Sequence, residues 1–120
     1  MKDTTIWSII CVFQYNCHGL TLFLLNLFPS LAHYHGYQME HYLTTKCMQQ
    51  SSPASIVSYW MRNSTADFLL HTGVRIGPEI IHQQGSRGGV KRDTIEQVLE
   101  YYAVNFSRNV QVRYYEPLNV

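Results

Sequence analysis

The segment Thr94-Ile95-Glu96-Gln97-Val98-Leu99-Glu100-Tyr101-Tyr102-Ala103-Val104-Asn105-Phe106, followed by Val110-Gln111-Val112-Arg113-Tyr114-Tyr115, decides the fold. Ile95, Val98, Leu99, Tyr102 and Phe106 recur at helical spacing and share one face. Asp93 or Thr94 provides the N-cap. Thr94 and Gln97 have capping-box spacing, and Glu96 places a negative charge in the first turn. The pattern predicts a helix over about 94–106. Val110, Val112 and Tyr114 then alternate with Gln111, Arg113 and Tyr115, which predicts a half-buried strand over about 110–115 closed by Pro117.

Upstream, Ile56-Val57-Ser58-Tyr59-Trp60-Met61 is β-branched and aromatic, as strands are. Asn63-Ser64-Thr65 marks a turn, Phe68-Leu69-Leu70-His71 a second strand, and Gly77-Pro78 a further break. Glu79–Gln83 suits either a short strand or one helical turn. A competing reading starts a helix at Ser52-Pro53, with Pro53 at the first helical position. The preferred reading is an α+β body: short antiparallel strands over about 56–83, one amphipathic helix, and a final strand.

The front of the chain differs in kind. Of 120 residues, nine are Lys or Arg and eight are Asp or Glu, and none of these lies between positions 4 and 39. Ile6–Phe13 and Leu20–Ala32 are apolar bursts, each shorter than the roughly 20 residues that span a bilayer. Ser30-Leu31-Ala32 is a small-x-small tripeptide of the signal-peptidase type, which predicts a cut before His33. The expected organisation is a signal peptide or membrane anchor at 1–32, a His/Tyr-rich tether at 33–52 and an α+β domain at 53–120. A net charge of +1 gives no reason to expect a bulk polyanion partner. The sequons at Asn63 and Asn105 are compatible with secretion. Cys47 would be the one cysteine left after cleavage; in a retained chain it is a packed small hydrophobe.

Two stretches carry candidate chemistry. His33, His35 and His41, with Glu40 and Cys47 nearby, offer Cu or Zn ligands, although no cofactor is otherwise expected. A new amino terminus at His33, with His35 third in line, would offer Cu(II) a square-planar set of nitrogens. Gly85-Ser86-Arg87-Gly88-Gly89-Val90-Lys91-Arg92 precedes the helix, and its glycines and bases suit an anion. It lacks Walker and dinucleotide-fingerprint spacing. Gly85-Ser86-Arg87-Gly88 resembles the Gly-x-x-Gly loop of KH domains, which implies a grip on single-stranded RNA with Arg87, Lys91 and Arg92. The isoleucine-glycine step that leads into that loop is Ile81-His82-Gln83-Gln84 here, and Lys91 stands where an apolar residue is expected.

No nucleophile motif occurs, so no catalytic residue or small-molecule substrate is assigned; His71 and His82 read as ordinary polar residues near a sheet edge. Nine tyrosines, with Tyr101-Tyr102 and Tyr114-Tyr115 as neighbouring pairs of which one ring each faces outward, suit contact surfaces. The leading expectation is therefore a small secreted or membrane-anchored binding protein, with a protein or membrane surface as partner and no catalysis. An intracellular KH-like module is the alternative. A chain with no selected function is the third reading, and the mutual consistency of Thr94–Tyr114 weighs against it.

Overall fold

The computed structural model describes residues 16–84, 89–106 and 109–118. Over these residues the chain is α+β, as the segment 94–115 predicts. Helices α1 (Cys17–Leu24) and α2 (Gly36–Lys46) precede five strands. These are β1 (Cys47–Gln50), β2 (Ile56–Met61), β3 (Phe68–Ile76), β4 (Glu79–Gln83) and β5 (Val90–Thr94). Helix α3 (Ile95–Asn105) and strand β6 (Val110–Pro117) complete the order. One six-stranded sheet runs β1-β6-β2-β3-β4-β5, with every neighbouring pair antiparallel. Glu79–Gln83 is thereby settled as a strand.

The sheet is covered on both faces, which explains why β2 is buried from Ile56 to Trp60 rather than alternating. Ile56 and Trp60 pack with Leu22 of α1 and with Met39 and Leu43 of α2. Val57 and Tyr59, pointing the other way, pack with Ile95, Val98 and Tyr102 of α3. Helix α3 therefore carries the chain from edge strand β5 across the opposite face to β6, which inserts between β1 and β2. Ser58 is fully buried in the central strand. Its hydroxyl donates to the Arg113 carbonyl at 2.7 Å and accepts from Trp60 Nε1 at 2.8 Å, so it brings no unsatisfied group into the core.

Residues 33–52, expected as a tether, contain α2 and β1. Met39 and Leu43 lie one turn apart and are both fully buried. Strand β1 pairs with β6, Cys47 opposite Pro117. Of the apolar run Leu20–Ala32, the part up to Leu24 belongs to α1 and the rest turns back outside the helix. Asn16 caps that helix by accepting from the Gly19 amide at 3.0 Å. The same side chain binds both backbone groups of Tyr34, donating to its carbonyl at 2.7 Å and accepting from its amide at 3.0 Å. A Cβ built on Gly19 would lie 1.6 Å from the Ala32 carbonyl oxygen, so glycine is required where the returning chain crosses α1. Among the described residues, no helix is long and apolar enough to cross a membrane.

A β-bulge decides which groups meet beneath α3. Tyr59 pairs with His71 but Trp60 pairs with Leu69, which leaves Leu70 as the extra residue on β3. In regular pleating Leu69 and His71 would share a face. Across the bulge, Leu69 joins the α1/α2 side while His71 turns toward α3.

Candidate functional site

His71, His82 and Asp93 come from three successive strands and line up beneath α3. Asp93 Oδ2 lies 2.8 Å from His82 Nε2, and His82 Nδ1 lies 2.7 Å from His71 Nε2. An ionised carboxylate only accepts, so His82 Nε2 carries a hydrogen. Neutral His82 then has a bare Nδ1, and His71 must donate to it from Nε2. Aromatic rings enclose the far end: His71 lies 5.2 Å from Tyr102 and 5.9 Å from Tyr59 between ring centroids. The Tyr59 hydroxyl donates to the Ile95 carbonyl at 3.0 Å, which ties the same cluster to the start of α3.

The electrostatics follow from burial. His71 is 1% exposed and His82 is fully buried, so desolvation holds both imidazoles below their ordinary range and neutral at pH 7. Asp93 acts against that on His82, while Lys91 adds to it. Burial also pushes the Tyr59 and Tyr102 hydroxyls up. The line has the proton-passing order of a catalytic triad. Among the described residues, its inner end rests against the Tyr59 and Tyr102 rings.

On the other face of β3, the Thr72 hydroxyl lies 2.8 Å from His18 Nδ1 and accepts from the Thr21 hydroxyl at 3.3 Å. Burial, and His33 nearby, bring His18 down to about 4. Cys17 lies 3.6 Å from His18 Nδ1, and burial pushes its thiol up to about 11, so it is a poor nucleophile at neutral pH.

The outer surface of α3 exposes apolar side chains. Tyr101 and Val104 are 44% and 77% exposed there, whereas Phe106, expected on the inner face, is the C-cap residue, 60% exposed with its ring 5.3 Å from that of Tyr102. Gln97, Glu100, Tyr101, Val104 and Asn105 line a shallow depression of about 320 Å³. The helix carries Glu96 and Glu100 and no Lys or Arg.

The sequence-derived candidates fall in different places. His33 and His35 are exposed with ring centroids 5.0 Å apart, and His35 stacks on Tyr37 at 5.5 Å. His41 is exposed on α2. Among the described residues, no three His, Cys, Asp or Glu groups are arranged to hold a metal ion. Gly85, Arg87 and Gly88 lie outside the described residues. The described strands on either side, β4 and β5, are antiparallel neighbours, so β5 intervenes before the helix. Lys91 and Arg92 are successive strand residues and project to opposite faces. Arg92 pairs with Glu79 at 2.5 Å, and Lys91 is exposed opposite His82. Cys47 is buried, its thiol pushed up to about 11 by desolvation. Asn63 and Asn105 are both exposed.

Of the tyrosine pairs, Tyr101 faces out and Tyr102 in, as expected. Tyr114 and Tyr115 instead point into the two different cores, because both faces of the sheet are covered. The Asp93–His82–His71 line escaped sequence reasoning. Its one sequence signal is the repeated spacing of 11 residues, which two consecutive hairpins convert into a row across the sheet.

Compared with protein-family models, curated proteins and solved structures, the chain matches none of them.

Proposed function

We propose that the protein is a non-catalytic binding module that docks a basic, amphipathic protein segment on the outer face of α3. The observation that carries this reading is the exposure of Tyr101 and Val104 on a helix whose charges are all acidic. Apolar side chains there give contact area, and Glu96 and Glu100 select a partner rich in Lys or Arg around its apolar positions. Retention of α1 belongs to this reading, because Leu22 fills the opposite core and supports the sheet on which α3 rests.

A synthetic amphipathic helix of Leu and Lys is the probe. Titrated into isotope-labelled protein, it should shift amide resonances across 97–106, with affinity falling as salt rises. Val104→Asp should remove those shifts while leaving the unfolding midpoint within the small range of surface substitutions. Shifts scattered over other elements, or none, would overturn the proposal. Single-stranded RNA serves as the comparison ligand: salt-dependent shifts at Lys91 and Arg92, with α3 unaffected, would replace it with nucleic-acid binding.

A further inference from the structure

We propose that the Asp93–His82–His71 line is an acid-sensitive latch that holds α3 on the sheet and releases it when both imidazoles become protonated. The inference stands apart from what the outer face of α3 binds. It rests on the inner face, where Tyr102 packs on His71 and where Asp93 ends the line one residue before the Thr94 cap.

The line has a definite proton capacity. In the neutral arrangement Asp93 accepts from His82 Nε2–H and His82 Nδ1 accepts from His71 Nε2–H. One added proton enters at His71 Nδ1, the nitrogen left bare, without breaking either bond. The resulting imidazolium is balanced by Asp93 and faces the Tyr59 and Tyr102 rings. A second proton has to enter at His82 Nδ1. There it puts a hydrogen on each side of the 2.7 Å contact and sets two cations with ring centroids 4.9 Å apart. One carboxylate cannot balance both, so the contact opens. His71 sits directly beneath Tyr102, so separation of the histidines lifts the middle of α3.

The surrounding groups favour this sense of response. Lys91 of β5 lies opposite His82 and opposes protonation, as does His18 of α1 toward His71. Tyr59 of β2 and Tyr102 of α3 stay neutral through the acid range. Cys17 of α1 is neutral there too, and among the described residues Glu96 of α3 is a further negative charge near Tyr59. Burial of both rings keeps the latch closed at neutral pH.

Hydrogen exchange of the full chain, followed by mass spectrometry from pH 7 to pH 4.5 and corrected for intrinsic exchange rates, tests the proposal. Protection of 95–105 should fall at least tenfold on acidification while α2 stays protected. His82→Gln retains an amide donor and acceptor without titrating, and should abolish that pH response. His18→Gln should preserve it. Protection of α3 that is independent of pH, or a response unchanged in His82→Gln, would overturn the latch. Long-range nitrogen–proton correlation spectra of the unaltered protein at pH 7 give a second test that needs no variant. They should show hydrogens on Nε2 of both His71 and His82; a hydrogen on His82 Nδ1 would overturn the proposal.

Discussion

Three buried histidines make the interior sensitive to acid at the level of single residues. His18, His71 and His82 all have imidazoles held below the ordinary value of 6.5 by desolvation, His18 down to about 4. The unfolded chain therefore binds more protons than the folded one once pH falls below 6.5. Stability is complete above that value and is lost as pH falls toward the folded values. Each pH unit across that window costs about 1.4 kcal/mol for each such group. Urea unfolding should show ΔG level from pH 8 to 7 and falling by about 2 kcal/mol or more by pH 5. A flat profile from pH 7 to 5 would contradict the neutral, buried state of these rings. Little of this was visible in sequence. Whether His71 faces solvent, one core or the other depends on the Leu70 bulge, and a bulge leaves no mark on hydrophobic periodicity.

At the scale of elements, α3 was the most legible part of the chain. Its apolar spacing, acidic first turn and Thr94/Gln97 box all point to one structure. Gln97 Oε1 accepts from the Thr94 amide at 2.8 Å, and Thr94 Oγ1 accepts from the Gln97 amide at 3.0 Å. Asp93, the other cap candidate, is engaged with His82 instead. Replacing Thr94 by Ala should cost about 1 kcal/mol, read from chemical denaturation. Helix α2 was harder to read because Met39 and Leu43 are its buried residues within a polar, His/Tyr-rich stretch. Its docking comes from across the sheet: Glu40 Oε2 accepts from the Leu69 amide at 3.3 Å beside the bulge. Strand β5, Val-Lys-Arg-Asp-Thr, has little strand propensity of its own and is held by its register with β4.

For the whole molecule, the decisive feature is that the sheet is sandwiched between α1 and α2 on one side and α3 on the other. Leu22 is fully buried against Met39, Leu43, Ile56, Trp60 and Leu69, so α1 is part of the core in this arrangement. A chain expressed as residues 33–120 loses α1 together with the Asn16 clamp on Tyr34. Loss of one such leucine side chain alone costs about 2–5 kcal/mol, comparable with the margin of a small domain. The shortened chain should therefore lack a cooperative thermal transition and bind a hydrophobic dye that the full chain does not. Cooperative unfolding of 33–120 with an unchanged midpoint would show that the opposite core closes without α1. The same comparison measures the energetic consequence of the expected cut before His33.

The sequence by itself determined the local elements whose signals are local: the capped helix α3, the strand before Pro117, the aromatic strand at 56–61 and the turns between them. It also marked the front as distinct through its missing charges. Tertiary structure decided that part of the front fills a core, that 33–52 is folded, that Lys91 and Arg92 diverge, and that His71, His82 and Asp93 meet. Helical and strand periodicities report which side of an element is apolar. They carry no information about which element covers that side, where a register slips by one residue, or which polar groups distant in sequence become neighbours. Those outcomes are set by burial shared among several segments, and only the assembled sheet with its two helical layers fixes them.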